Sequence, residues 1–192
     1  MPIRPATALQ ADLDGTLAPC VRPLVAVRHH RGWRAVLPEG VLTFGDEPID
    51  RAGGIASRSA VPGCHAEMVA SKGRIGLDVE TLARIALNAA PGDPWLAPCE
   101  RRIVAAASDP LIELAGRWVL REAYGKALGV GLAMPLDTLV FQGRGDRITL
   151  CGVAEGWSFA LYRCGDTMFG IARQATPFAP IGRNPPAPPF DR

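Results

Sequence analysis

At 192 residues with 48% apolar side chains, the chain can bury one sizeable core or two small lobes. Its 21 basic and 19 acidic residues leave a net charge of +2, which gives no argument for a nucleic-acid partner, and no polybasic run points to a membrane surface. No apolar run approaches the roughly 18 residues of a membrane span, and Met1-Pro2-Ile3-Arg4-Pro5 lacks a signal-like apolar core, so a cytoplasmic protein is expected. The five cysteines, Cys20, Cys64, Cys99, Cys151 and Cys164, are odd in number and show no C-x-x-C spacing; they read as reduced and mostly structural.

The first twenty residues are irregular and contain Asp12-Leu13-Asp14-Gly15-Thr16-Leu17. D-x-D-G-T-L resembles the first motif of haloacid dehalogenase-like phosphatases, in which the leading Asp is the nucleophile. That chemistry needs a buried parallel strand just before it, and 5–11, with Gln10 inside, makes a poor one. The late motif is hinted at only by Gly165-Asp166, so a surface turn built on Asp-Gly is preferred. Strands are expected at 24–27, 35–37 and 41–44, with Arg28-His29-His30-Arg31 between the first two as either a phosphate-meeting loop or a solvated hairpin turn. Ser57-Arg58-Ser59 lies in a Gly/Ser-rich stretch, and 66–71 forms a strand or short helix before Lys72-Gly73.

Arg74-Ile75-Gly76-Leu77-Asp78-Val79-Glu80 alternates as a half-buried strand does: Ile75, Leu77 and Val79 share one face, Gly76, Asp78 and Glu80 the other. Two carboxylates side by side on a strand repel each other, and open water or a cation must offset that. Short helices follow near 82–87 and 100–107, separated by Pro91-Gly92-Asp93-Pro94. A longer helix is expected over 111–128, with Asp109 as N-cap, Pro110 as first helical residue and Gly129 as left-handed C-cap. Trp118, Glu122 and Lys126 share one face of it. Alone, Glu122 and Lys126 would be a surface ion pair worth a few tenths of a kcal/mol, on the order of 0.3–0.5. Beside Asp78 and Glu80, Glu122 completes a set of oxygen ligands suited to Mg²⁺. From 139 to 172 the chain reads as an antiparallel meander against which the helix packs, and the Pro-rich residues 174–192 read as an extended or disordered tail.

Gly76-Leu77-Asp78-Val79-Glu80, followed by Trp118-x-x-Arg121-Glu122-Ala123-x-x-Lys126-x-x-Gly129-x-Gly131-Leu132, resembles the 4′-phosphopantetheinyl transferase superfamily, whose signatures are roughly G-x-D-x-E and W-x-x-K-E-A-x-x-K-x-x-G-x-G-L. Arg121 is a charge-conserving departure from the second. Trp95-Leu96-Ala97-Pro98-Cys99-Glu100 and Met134-Pro135-Leu136-Asp137 also look familial. Because about 73 residues precede the strand, the resemblance is to the surfactin-type layout. It implies an α+β fold of two similar lobes, each a helix packed on a small antiparallel sheet, in a monomer. The expected division is 1–73 as a divergent coenzyme-contacting lobe, 74–173 as the lobe with the metal site, and 174–192 as tail.

The resemblance implies transfer of 4′-phosphopantetheine from coenzyme A to a serine of an acyl or peptidyl carrier protein, with Mg²⁺ and release of 3′,5′-ADP. It assigns Asp78, Glu80 and Glu122 to the metal and Glu122 as general base, directly or through a bound water. Lys126 would stabilise the departing phosphate, and Arg121 would grip a phosphate from the helix edge. Arg58 would stand where family members carry a coenzyme-contacting His, while Gly45-Asp46-Glu47-Pro48 replaces a G-K-P. Two alternatives follow: a catalytically degenerate relative that binds carrier protein or coenzyme A, and the phosphatase dependent on Asp12. Neither nucleic acid nor membrane is expected as a partner.

Overall fold

The computed structural model describes residues 15–29, 32–47, 55–153 and 156–175. Two sheets stack face to face, and the helices cover the outer face of the second. The short strand β1 (Val21–Pro23) precedes the first sheet, which comprises β2 (Val27–His29), β3 (Gly32–Leu37), β4 (Gly40–Gly45), β5 (Ile55–Val61) and β6 (Cys64–Ala70) in the order β2-β3-β4-β6-β5. The second comprises β7 (Arg74–Thr81), β8 (Phe141–Arg144), β9 (Arg147–Leu150), β10 (Trp157–Cys164) and β11 (Thr167–Gln174) in the order β7-β11-β10-β9-β8. β1 joins it, parallel to β10, although it comes before residue 74 in the chain. The helices are α1 (Leu82–Asn88), α2 (Pro98–Ala106) and α3 (Pro110–Leu128).

The local signals explain these bounds. Asp109 Oδ1 accepts from the Ile112 amide at 3.1 Å at the start of α3. Gly129, at φ +77°, returns its amide to Lys126 O at its end. Thr81 caps α1 by accepting from the Arg84 amide. Two expectations change: residues 24–26 lie between strands instead of forming one, and Ser57-Arg58-Ser59 belongs to β5 instead of a loop. Of the strand or short helix expected at 66–71, the strand is present, as part of β6. The expected helix on the N-terminal sheet is also absent among the described residues, since α1, α2 and α3 all follow residue 81.

The alternation in β7 is present, but both faces are buried. Ile75, Leu77 and Val79 join Phe169 and Ile171 against Leu42, Phe44, Ala66 and Met68 of the first sheet. Phe44 meets Phe169 edge to face, centroids 5.2 Å apart. The other face lies under α3, whose Val119, Leu120, Ala123 and Ala127 share a core with Leu161 and Met168. Gly76 lets that helix approach: a Cβ there would overlap the Ala123 carbonyl oxygen and lie 2.7 Å from the Ala127 nitrogen. Gly76→Ala is therefore expected to force α3 away from β7 and cost about 1–3 kcal/mol. A lowered midpoint in urea unfolding would show it.

All five cysteines are unpaired. Burial pushes the Cys64 thiol up to about 11, which suits an inert core group. No helix among the described residues is long and apolar enough to cross a membrane.

Candidate active site at the meeting of two sheet edges

β5 and β7 are the edge strands of their respective sheets, and they come together at one corner of the molecule. Serine side chains join them. Ser57 Oγ accepts from the Leu77 amide at 2.8 Å, so an edge N–H of β7 finds its partner in the other sheet. Two residues on, Ser59 Oγ donates to Asp78 Oδ1 at 2.8 Å. Asp78, 4% exposed, is thus a carboxylate drawn into the corner between the sheets and α3.

From α3, Lys126 Nζ donates to the same Asp78 Oδ1 at 2.6 Å and to Ser59 Oγ at 3.1 Å. Glu122, one turn earlier, has its Oε2 4.0 Å from Nζ. Glu80 turns its Oε1 to the Thr81 amide at 2.9 Å and lies 3.4 Å from Arg84 Nη1. Burial holds the Glu122 carboxyl above the usual carboxylate range. The negative charges of Asp78 and Glu80 push the same way, against Lys126 and Arg84. Glu122 therefore feels both strand carboxylates, and the corner holds three acids against two cations.

This donor set is chemically suited to a hard divalent cation, being all oxygen with an excess of negative charge. Among the described residues, however, no three His, Cys, Asp or Glu side chains gather closely enough to hold a metal ion. The ammonium of Lys126 is seated on Asp78 instead.

The remaining expected site residues lie elsewhere. Arg58 alternates with Ser57 and Ser59 along β5 and so faces the other side of the strand, where it pairs with the buried carboxylate of Glu67 across the ladder. Arg121 is completely buried. Its guanidinium pairs with Glu100, donates to Leu136 O at 3.1 Å and Leu139 O at 2.6 Å, and lies over the Trp95 and Phe141 rings. With its donors spent in the core, it does not grip a phosphate. Asp46 and Glu47 line a separate cavity of about 470 Å³ with Arg28, Trp33 and Cys64. Asp12 lies outside the described residues. Asp166, the hint of a late phosphatase motif, has a structural role: its carbonyl accepts from the Leu82 amide at 2.9 Å at the start of α1.

Two features of the site are not marked in the sequence. Ser57 and Ser59, not the Arg58 between them, form the wall of the site, since period-2 alternation allows only one of the two sets to face β7. Glu113, Arg117 and Arg121 recur every four residues on α3, one carboxylate followed by two arginines that share Glu100 of α2 in an internal ion network.

Residues 74–165 match the family model described as the 4′-phosphopantetheinyl transferase superfamily. The match spans β7 to the turn after β10 and holds Asp78, Glu80, Glu122 and Lys126 together. Among solved structures, the chain is similar to the Thermotoga maritima holo-[acyl-carrier-protein] synthase, with 22% identity and a TM-score of 0.41. That alignment covers 52% of this chain and 61% of the other. No curated protein matches the chain.

Proposed function

We propose that the protein transfers 4′-phosphopantetheine from coenzyme A to a serine of an acyl or peptidyl carrier protein, releasing 3′,5′-ADP. One observation carries this reading: within the segment that matches the superfamily, Asp78 of β7 and the Glu122/Lys126 pair of α3 converge on one corner. A corner with a carboxylate displaced from its ordinary range and an ammonium one helical turn away suits proton abstraction beside a departing anion.

In this reading the serine hydroxyl oxygen bonds to the phosphorus that carries pantetheine. The bridging P–O bond breaks, and its electron pair leaves with 3′,5′-ADP. Glu122 takes the hydroxyl proton, directly or through water, and Lys126 holds the departing phosphate. Asp78, Glu80 and Glu122 would hold Mg²⁺, which when bound neutralises charge on the pyrophosphate oxygens. Ser59 fixes the Asp78 carboxylate from the opposite sheet. Because one chain supplies both strands of the corner, we keep the monomer, in the cytoplasm, as part of the proposal.

The test is incubation with apo-carrier protein, coenzyme A and MgCl₂. The expected result is a carrier heavier by one phosphopantetheine group, and an unchanged carrier mass would sink the reading. A degenerate relative is favoured by one observation, the complete burial of Arg121 among core partners. Calorimetry separates the two, since coenzyme A binding that strengthens with Mg²⁺ supports the enzyme. The phosphatase would instead show hydrolysis lost in Asp12→Asn.

A further inference from the structure

The two sheets do not cover each other completely. β7, β11 and β10 of the second sheet pack against the first, while β9 and β8 run on past it. That uncovered shelf floors a groove of about 1040 Å³, walled by Pro38 and Glu39 of the turn between β3 and β4. β8 is four strand spacings from β7, so the far side of the groove stands roughly 19 Å across the sheet from the corner that holds Asp78.

Strand register fixes what the shelf presents. Phe141, Ile148 and Leu150 enter the helix-side core, so Arg144, Arg147 and Thr149 project from the opposite face, all exposed. Arg144 stands directly opposite Arg147 across the β8–β9 ladder, a placement in which like charges destabilise a hairpin. Neither side chain has a hydrogen-bond or ion-pair partner among the described residues. Arg22 of β1 reaches the same turn by donating to Asp146 O at 3.1 Å. On the wall, Glu39 is 8% exposed. Tyr162 OH donates to its Oε2 at 3.0 Å, and its Oε1 has no hydrogen bond among the described residues.

We propose that this groove binds a small polyhydroxylated phosphate monoester, with the phosphate gripped by Arg144 and Arg147 and the hydroxyls met by Thr149, Ser158 and Glu39. Two guanidiniums side by side offer forked donors to a dianion, which in turn relieves their mutual repulsion. Glu39 accepts from a hydroxyl and repels a second anionic group, so the ligand carries one phosphate. A nucleobase finds no open ring to stack on. Trp157 and Phe159 border the groove, but they stack on each other and both meet Tyr124 edge-on. The site lies outside the transferase reading and does not depend on it.

The experiment is isothermal titration of ribose 5-phosphate into the full chain at low ionic strength. Saturable binding is expected, weakened at least about tenfold by the double variant Arg144→Ala/Arg147→Ala. Arg102→Ala, which removes an exposed charge from α2, should leave it unchanged. Thr149→Val with Ser158→Ala should lower the affinity to that of inorganic phosphate, which is expected to bind the wild type more weakly than the sugar phosphate. A second measurement keeps the native chain: amide resonances of Arg147, Thr149 and Ser158 should shift as ribose 5-phosphate is added. Absence of saturable binding, an equal loss in Arg102→Ala, inorganic phosphate binding as tightly as ribose 5-phosphate, or resonances that stay in place would each overturn the site. Modification of the carrier protein is read in a separate assay, so the failure of one leaves the other standing.

Discussion

Glu122→Gln is expected to lower transfer onto apo-carrier protein by about 10²–10⁴-fold and, at the same time, to raise the unfolding temperature at pH 8. The two effects share one cause. Glu122 is half-buried, and its carboxyl is held above the usual range chiefly by burial and then by the charges of Asp78 and Glu80. A folded-state value above the unfolded one means that the protonated group favours the fold. Its contribution is full below the ordinary carboxylate range and is lost as pH rises through the raised value. At pH 8 the folded protein carries an ionised group it would prefer neutral. Glutamine keeps the shape, removes the charge, and so stabilises the fold while removing the base. Scanning calorimetry at pH 8 and pH 4 measures the first effect. The stabilisation should shrink toward the acid end, where the wild-type carboxyl is itself protonated. Asp78→Asn is expected to lose activity on a similar scale without the gain in stability, because the amide still offers Lys126 and Ser59 an oxygen but removes the negative charge on which the Lys126 ammonium is seated. A Glu122→Gln variant with full activity would remove Glu122 from the chemistry.

The elements that carry this site are legible in the sequence because each has a strong local signature. Asp109-Pro110 and Gly129 bracket α3, and the period-2 pattern of 74–80 marks β7. The meeting of Asp78 with Lys126 is legible only through the family spacing, since it joins residues 48 apart. The first sheet is less readable. β5, Ile55-Ala56-Ser57-Arg58-Ser59-Ala60-Val61, has an exposed face and an edge, so its residues carry little apolar alternation. Its role depends on which sheet edge it meets, a tertiary fact. Arg121 misleads for another reason. A charged residue on a helix reads as solvent-facing, and nothing local reveals that α2 brings Glu100 over it from 21 residues away. Burial of β7 on both faces likewise depends on the first sheet packing over Ile75, Leu77 and Val79, which a strand pattern cannot foretell.

That hidden arginine belongs to the network on which the second large effect is expected: Arg117→Met should destabilise the protein by about 3–5 kcal/mol. Glu100, Glu113, Arg117 and Arg121 all have fully buried side chains. Arg117 Nη1 donates to Glu100 Oε1 at 2.7 Å and to Phe141 O at 2.8 Å; Nη2 donates to Gly15 O at 2.9 Å and lies 3.2 Å from Glu113 Oε2. Glu113 also accepts from the Ala18 amide at 2.7 Å, and Glu100 from the Phe141 amide at 2.9 Å. Two arginines thus hold α2, α3, β8 and the segment before β1 to one another. Methionine matches the volume but leaves two carboxylates without their shared cation in the core. The penalty is that of an uncompensated buried charge, larger than the net value of the intact pair. Equilibrium urea unfolding reads the loss as a lower midpoint at unchanged slope. Adding Glu113→Gln to Arg117→Met removes one orphaned charge and is expected to recover part of the loss, a non-additivity that independent contacts would not give. Glu122 and Lys126 follow Arg121 directly on the same helix. If the single variant unfolded at the wild-type midpoint, α3 would not be pinned by these charges, and the placement of the site would have to rest on the apolar contacts with β7 alone.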